Sequence, residues 1–305
     1  MHSILALTAM HDRFLTAPLD TPPTPYECFH YSRAAALLSV KLTKPLDKPS
    51  RNAVWSTAVL LAHSAFFSTD ASSAATSWPL AADASSAQHL AWLTMQDGMR
   101  ILWPLAEPVK PGGLFYALAQ QPAQCYLCYL LEPTWTPGIE GIPSNFVQLC
   151  ELTEASTAEN NDYHAAVRNL VPLLSMQCGP ETLVRLTAFT SLMPAAFKKL
   201  LGEKDLRALL ILSCWYAKMC AAPWWIARRA VVECQAICLY IERECTSRAS
   251  KGILEAWEED RGRDLMLEML QFPMLKCGLV DLAASELNVA STDHCARSID
   301  ADILM

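Results

Sequence analysis

Glycine is scarce, with 10 in 305 residues, too few for the turn-dense chain of a β-sandwich or barrel. Charge is also thin. Asp, Glu, Lys and Arg make up 18%, against about a quarter in ordinary soluble domains, so much of the chain is free to enter a core. Positive charge is nowhere clustered; the densest groups are pairs such as Lys198-Lys199. A surface that grips nucleic acid neutralises phosphates with grouped Lys and Arg. A chain of net charge −7 without such a group is not expected to bind nucleic acid directly. The longest uncharged apolar run, Ala208 to Ala217, is about half of the ~20 residues a membrane-spanning helix needs. The start, MHSILALTAMHDRFL, lacks the basic segment and small-residue cleavage site of a secretory signal. The Gly-rich phosphate loop and the Gly-x-Ser-x-Gly elbow are missing too, which removes the most readable enzyme classes. These absences predict a soluble intracellular protein, nuclear or cytoplasmic.

What is abundant is apolar side chain, 52% of the sequence, with Leu and Ala, both strong helix formers, dominating. Twelve cysteines lie mostly inside apolar helical segments. There they read as free thiols acting as small hydrophobes, in keeping with a reducing compartment. Helices are expected at Met1–Leu15, at Tyr26–Leu42 with Phe29, Ala36, Leu37 and Val40 inward, and at Arg51–Ser68. Pro45 and Pro49 are expected to end the second of these. The Ala/Ser-rich stretch Thr69–Gln88 reads as a surface loop. Further helices are expected at His89–Leu105, Leu114–Gln121, Phe146–Glu154, Asp162–Met176, Glu181–Phe189 and Pro194–Leu201. Pro104, Pro108 and Pro111-Gly112-Gly113 should force a turn. A last helix should run from near Ser250 to Leu270, where Phe272-Pro273 stops it, and Leu279–Met305 reads as a weakly ordered tail. At the centre lies Leu206–Cys245, a hairpin of two helices broken at Ala222-Pro223. Its first helix is apolar on nearly every side, the mark of a buried element. The fold class is all-α, one large multi-helix domain around that buried hairpin.

Several segments carry a resemblance: HSILALTAMH, HYSRAAALLSVKL, NAVWSTAVLLAHSAFFS, DGMRILWPLAEPVKPGGL, DYHAAVRNL, LRALLILSCWYA, WWIARRAVV and LQFP. In order and spacing they resemble the large helical regulatory domain of fungal zinc-cluster transcription factors, the sterol-regulator-like branch. That family carries an N-terminal binuclear zinc cluster held by six closely spaced cysteines in a basic segment. No such segment is present; the one CxxC is Cys125–Cys128, and the next cysteine is Cys150. The resemblance therefore implies the effector-sensing half of such a factor without its DNA-binding half. It would be tied to a fungal secondary-metabolite gene cluster and would work through a partner such as a full-length factor, or as a homodimer.

Each candidate residue reads two ways. Lys218 stands where the resembling domains are expected to carry an apolar residue. It either snorkels from the end of a buried helix or points into a central pocket as an anion partner. Arg228 and Arg229 occupy what is usually a Gly-Trp pair. With Lys218 and the helix N-terminus they are either a diphosphate or ligand site or a solvated basic edge. Cys214, Trp215 and Trp225 are candidate pocket lining. Val231, Cys234, Cys238, Ile241 and Cys245 form a 3-4-3-4 stripe; Cys234 and Cys238 suit a metal by spacing, but no third or fourth ligand is evident, so the stripe reads as thiol-lined core. Asn160-Asn161-Asp162 resembles the magnesium motif of terpene cyclases, yet Ala165 and Asn169 stand where that motif needs a hydroxyl and a glutamate, and a helix N-cap is the plainer reading. Asp260 and Asp264, one turn apart beside Glu258 and Glu259, suit Mg²⁺ or a face self-paired with Arg261 and Arg263. His63, on an apolar helix, reads as a satisfied core histidine.

Two functions follow. The first is a transcription-regulation domain binding a small apolar ligand or a protein partner, with no cofactor. The second is a non-canonical Mg²⁺-dependent sesquiterpene cyclase of the humulene type acting on farnesyl diphosphate, with Lys218 facing a closed apolar cavity and two carboxylates within metal reach.

Overall fold

The computed structural model describes residues 1–18, 21–69, 71–81, 86–119, 136–250 and 259–280. Among them every regular element is a helix: α1 His2–Thr16, α2 Pro25–Leu42, α3 Lys48–Phe67, a 3₁₀ turn Ala74–Thr76, α4 Ser86–His89, α5 Ala91–Ala106, α6 Tyr116–Ala119, α7 Ser144–Leu149, α8 His164–Leu174, α9 Leu183–Ser191, α10 Ala195–Gly202, α11 Leu206–Met219, α12 Trp224–Ser250 and α13 Glu259–Lys276.

The helix apolar on all sides is the axis of the molecule. α11 buries Leu209, Leu210, Ile211, Leu212, Trp215 and Tyr216, and α8, α9, α10, α12 and α13 surround it. Its start is set by Asp205, whose carboxylate accepts the Ala208 N–H at 2.9 Å and so satisfies one of the helix's orphan donors. The Tyr163 hydroxyl donates to the same carboxylate oxygen at 3.1 Å, which ties the cap to the start of α8. The α11–α12 hairpin turns at the predicted place, with α12 opening on Trp224 directly after Pro223.

α1, α2 and α3 pack together, α3 contacts α5 and α12, and the end of α1 stacks His11 and Phe14 on Trp224 at the start of α12. The second helix turns its expected faces inside out. Glu27, His30 and Ala34 are buried, while Phe29, Leu37 and Val40 are 60%, 46% and 61% exposed and Ala36 is exposed. The cause is a buried ion pair. Arg13 near the end of α1 grips Glu27 with two bonds, Nε to Oε1 at 2.8 Å and Nη2 to Oε2 at 3.0 Å, and gives a third to the Thr21 carbonyl. Glu27 is also the closing residue of the Thr24 capping box, so its position relative to α2 is fixed before the apolar stripe can choose a side.

Three prolines sit inside helices: Pro104 in α5, Pro172 in α8 and Pro273 in α13. α5 ends at Ala106 on a left-handed Glu107, where the turn after Leu105 was expected, whereas Pro273, expected to stop the last helix, lies inside α13. An internal proline costs roughly 3 kcal/mol; beyond Pro273 the buried Met274 and Cys277 offset that cost by entering the core. Pro49, expected to end α2, instead occupies the first turn of α3 behind the Asp47 cap, where its missing N–H costs nothing. In the Thr69–Gln88 stretch, Ala71, Ser77 and Trp78 are buried, and the Trp78 indole donates to the Ser86 hydroxyl at 3.3 Å. Cys125, Cys128, Glu258 and residues 281–305 lie outside the described residues, as does the side chain of Asp260.

Candidate functional site

The sequence singled out the start of α12, and the structure builds two different things there. On one side is a cleft of ≈ 260 Å³ walled by Phe14, Ala71, Trp224, Arg228, Val231 and Val232. α1 supplies Phe14, the segment after α3 supplies Ala71, and α12 supplies the rest. The aromatic wall is continuous. His11 and Phe14 stack on Trp224 with ring centroids 4.7 and 5.3 Å away, and Phe67 meets Trp224 edge-on at 4.8 Å. The Arg228 guanidinium lies 5.4 Å over the Phe67 ring, within cation–π range, so a positive charge stands at the rim of an otherwise apolar cleft.

The other side faces inward. Arg229 is buried, and its guanidinium donates to the carbonyls of Phe66 and Ser68 at 2.6 and 2.7 Å and to that of Ala65 at 3.4 Å. These are the last carbonyls of α3, where an intrahelical partner is lacking and a cation is favoured. Its other arm pairs with Glu233, one turn on and equally buried. Glu233 Oε2 then accepts the Tyr216 hydroxyl at 2.5 Å. Burial first, and the Glu233 charge second, hold that phenol well above its ordinary range, in its protonated donor form. α3, α11 and α12 are joined by one satisfied polar network.

The third basic residue goes elsewhere. Lys218, half-buried, donates from Nζ to the Leu174 carbonyl at 2.8 Å, the last residue of α8. Burial and then the neighbouring Lys276 charge lower its pKa, against the Cys178 thiol. Lys218, Arg228 and Arg229 are therefore not brought to one anion site; the ends of α8 and α3 take two of them. Among the described side chains, the magnesium candidates Asn161, Asp162 and Asp264 do not meet either. Asn161 Oδ1 accepts the N–H groups of Tyr163 and His164 at 3.0 and 3.2 Å while its amide donates to the Cys150 carbonyl. That is a cap at the start of α8, with Asp162 exposed beside it. Asp264 is exposed and sits 3.4 Å from Arg263 on α13.

Of the expected pocket lining, Trp215 is core, its indole donating to the Leu186 carbonyl at 2.7 Å. The Cys214 thiol is buried and pushed up to about 12 by desolvation. Trp225 lies against His63, ring centroids 4.0 Å apart. Cys234 and Cys238, lacking a third partner in sequence, acquire one in Cys277. A wider groove of ≈ 500 Å³ runs between α1, α2 and α3, lined by His2, Leu37, Lys41 and Val54 among others. Two of its polar groups have partners: His2 Nδ1 lies 2.7 Å from His30 Nδ1, and Lys41 lies 4.0 Å from Asp47.

Burial lowers the His63 pKa to about 4 from 6.5, so folding favours the neutral ring. Its contribution is complete above pH 6.5 and is lost as pH falls from 6.5 to 4, because the unfolded chain then binds the extra proton. Stability should decline by on the order of 3 kcal/mol across that window. Urea titrations at pH 7 and pH 4.5 should show a smaller difference for His63→Phe than for the unaltered chain.

Compared with known proteins, the chain matches no family model, no curated protein and no solved structure. No described helix is long and apolar enough to cross a membrane.

Proposed function

We propose that this chain is the effector-binding helical domain of a transcription regulator, and that its effector is a small apolar molecule carrying an acidic group. The observation that carries the binding half is the cleft at the start of α12, apolar on its walls with the Arg228 guanidinium at its rim. An apolar body gains by leaving water for such walls, and a carboxylate or sulfonate end gains a charge-assisted bond to arginine. At ≈ 260 Å³ the cleft lies just below the usual range of about 300–1,000 Å³ for ligand pockets, which favours a compact ligand. The regulatory half rests on the ordered series of segments resembling fungal zinc-cluster factors. Such a domain would signal through a partner protein in the nucleus. A cyclase would need Lys218 and carboxylates in one closed cavity; Lys218 donates to the end of α8 instead, which favours the regulatory reading.

The test uses anilinonaphthalene sulfonate, an apolar body with one anionic group, titrated by fluorescence. The unaltered chain should bind it saturably. Val231→Glu, which puts a carboxylate into the wall, should abolish binding, and Arg228→Gln should weaken it about tenfold, or ~1.4 kcal/mol. The uncharged phenylnaphthylamine should bind the unaltered chain and Arg228→Gln alike. Equal dye affinity in the unaltered chain and Val231→Glu would remove the cleft from the account.

A further inference from the structure

We propose that Cys234, Cys238 and Cys277 form a closed thiolate site for a soft d¹⁰ metal ion, Zn²⁺ or Cu⁺, independent of the cleft. Their three sulfur atoms all lie within 4.8 Å of one another. A triangle with no side longer than that has a point within about 2.8 Å of every corner. Metal–thiolate bonds are about 2.3 Å, so a shift of roughly half an ångström per sulfur completes the shell. Cys234 and Cys238 are one turn apart on α12, the spacing that puts two side chains on one helix face. Cys277 comes from the residue after α13, far along the chain. All three are buried, at 0%, 0% and 4% exposure.

The third ligand is held in place by more than packing. Gly278 adopts φ +77°, the left-handed conformation that glycine accepts without strain. It closes the helix with bonds from Cys277 N to Pro273 O at 3.0 Å and from Leu279 N to Met274 O at 3.0 Å, the pattern of a glycine-terminated helix. Gln235 on α12 donates to the Cys277 carbonyl at 2.8 Å, locking this cap to the helix that carries the other two thiols. The sulfurs' bonds to backbone are long, Cys234 to the Ser213 and Pro273 carbonyls at 3.5 and 3.7 Å and Cys277 to the Met274 carbonyl at 3.5 Å.

Soft sulfur donors select Zn²⁺ and Cu⁺ over Mg²⁺, Ca²⁺ or Mn²⁺. A buried site with no room for substrate is structural rather than catalytic. Each thiol that enters as thiolate releases one proton to solvent, and no electron moves. A bound ion would pin α13 to α12, adding its binding energy to the folded state.

The experiment takes the full chain, reduced and metal-free. Zn²⁺ and Cu⁺ are titrated separately against chromophoric chelators, and Co²⁺ replaces Zn²⁺ to reveal thiolate-to-metal charge transfer and tetrahedral bands. One equivalent should bind, with the preferred ion identified by which arm withstands the stronger chelator. Cys277→Ser and Cys238→Ser should each weaken binding by about 100-fold or more, while Cys178→Ser should not. Should the ligand variants fold poorly, alkylation of the unaltered chain followed by peptide mapping gives an independent reading: the ion should protect Cys234, Cys238 and Cys277 together. No binding by the reduced chain, a disulfide in place of the thiol trio, or protection that misses Cys277 would overturn the proposal.

Discussion

Glu233→Ala should destabilise the protein by about 3–5 kcal/mol, the range for breaking a buried ion pair by removing one partner. The substitution leaves three groups worse off. Arg229 stays in the interior as a cation among the carbonyls of Ala65, Phe66 and Ser68, with no anion opposite it. The Tyr216 hydroxyl, on a wholly buried side chain, loses its acceptor. The end of α3 loses the precise seat of the arginine that caps it. By the same argument, Arg229→Met, Glu233→Met and Tyr216→Phe combined should recover much of the loss, because an apolar replacement of the whole network removes the desolvation cost along with the bonds. Urea unfolding of the single, double and triple variants should give strongly non-additive losses. A Glu233→Ala cost below about 1 kcal/mol would mean that water reaches the network.

Arg13→Met should have an effect of similar size, about 3–5 kcal/mol, and for a related reason. Glu27 is 1% exposed and receives both bonds of the Arg13 fork. Without them a carboxylate is left inside the α1–α2 contact. Glu27→Gln should cost less, because the amide oxygen still accepts from the Thr24 N–H in the capping box and from Arg13 Nε, so the buried guanidinium keeps acceptors there and at the Thr21 carbonyl. Thermal unfolding ranks the two variants. If Arg13→Met proves the milder, the pair does not set the orientation of α2.

That orientation marks the limit of what periodicity can read. α11 was legible because a helix buried on every side needs no decision about which face is inward. α2 required one. Phe29, Ala36, Leu37 and Val40 look like a core stripe, yet a fixed Arg13–Glu27 pair turns Glu27, His30 and Ala34 inward. The partner that decides lies on another helix. Pro273 failed as a stop signal for a kindred reason: burial of Met274 and Cys277 beyond it outweighs a local cost of about 3 kcal/mol. At the candidate site, Arg228 and Arg229 were read as one basic pair. The signal that separates them was present in the sequence, since Arg229 and Glu233 are one turn apart and Arg228 has Val232 at that spacing. Cys277 was not legible as a partner of Cys234 and Cys238, because only the docking of α13 on α12 brings it there. Lys218 carries its ammonium to the Leu174 carbonyl at the end of α8, a partner on another helix that its own sequence neighbourhood does not announce.

The central claim is a division of labour between two adjacent arginines, Arg229 holding the fold and Arg228 serving the cleft. The direct measurement is Arg228→Gln beside Arg229→Gln, each taken through urea unfolding and through the anilinonaphthalene sulfonate titration. Arg229→Gln should lose about 3 kcal/mol or more of stability. Arg228→Gln should stay within ~1 kcal/mol of the unaltered chain and lose dye affinity about tenfold. Equal destabilisation by both, or undiminished dye affinity in Arg228→Gln, would contradict it.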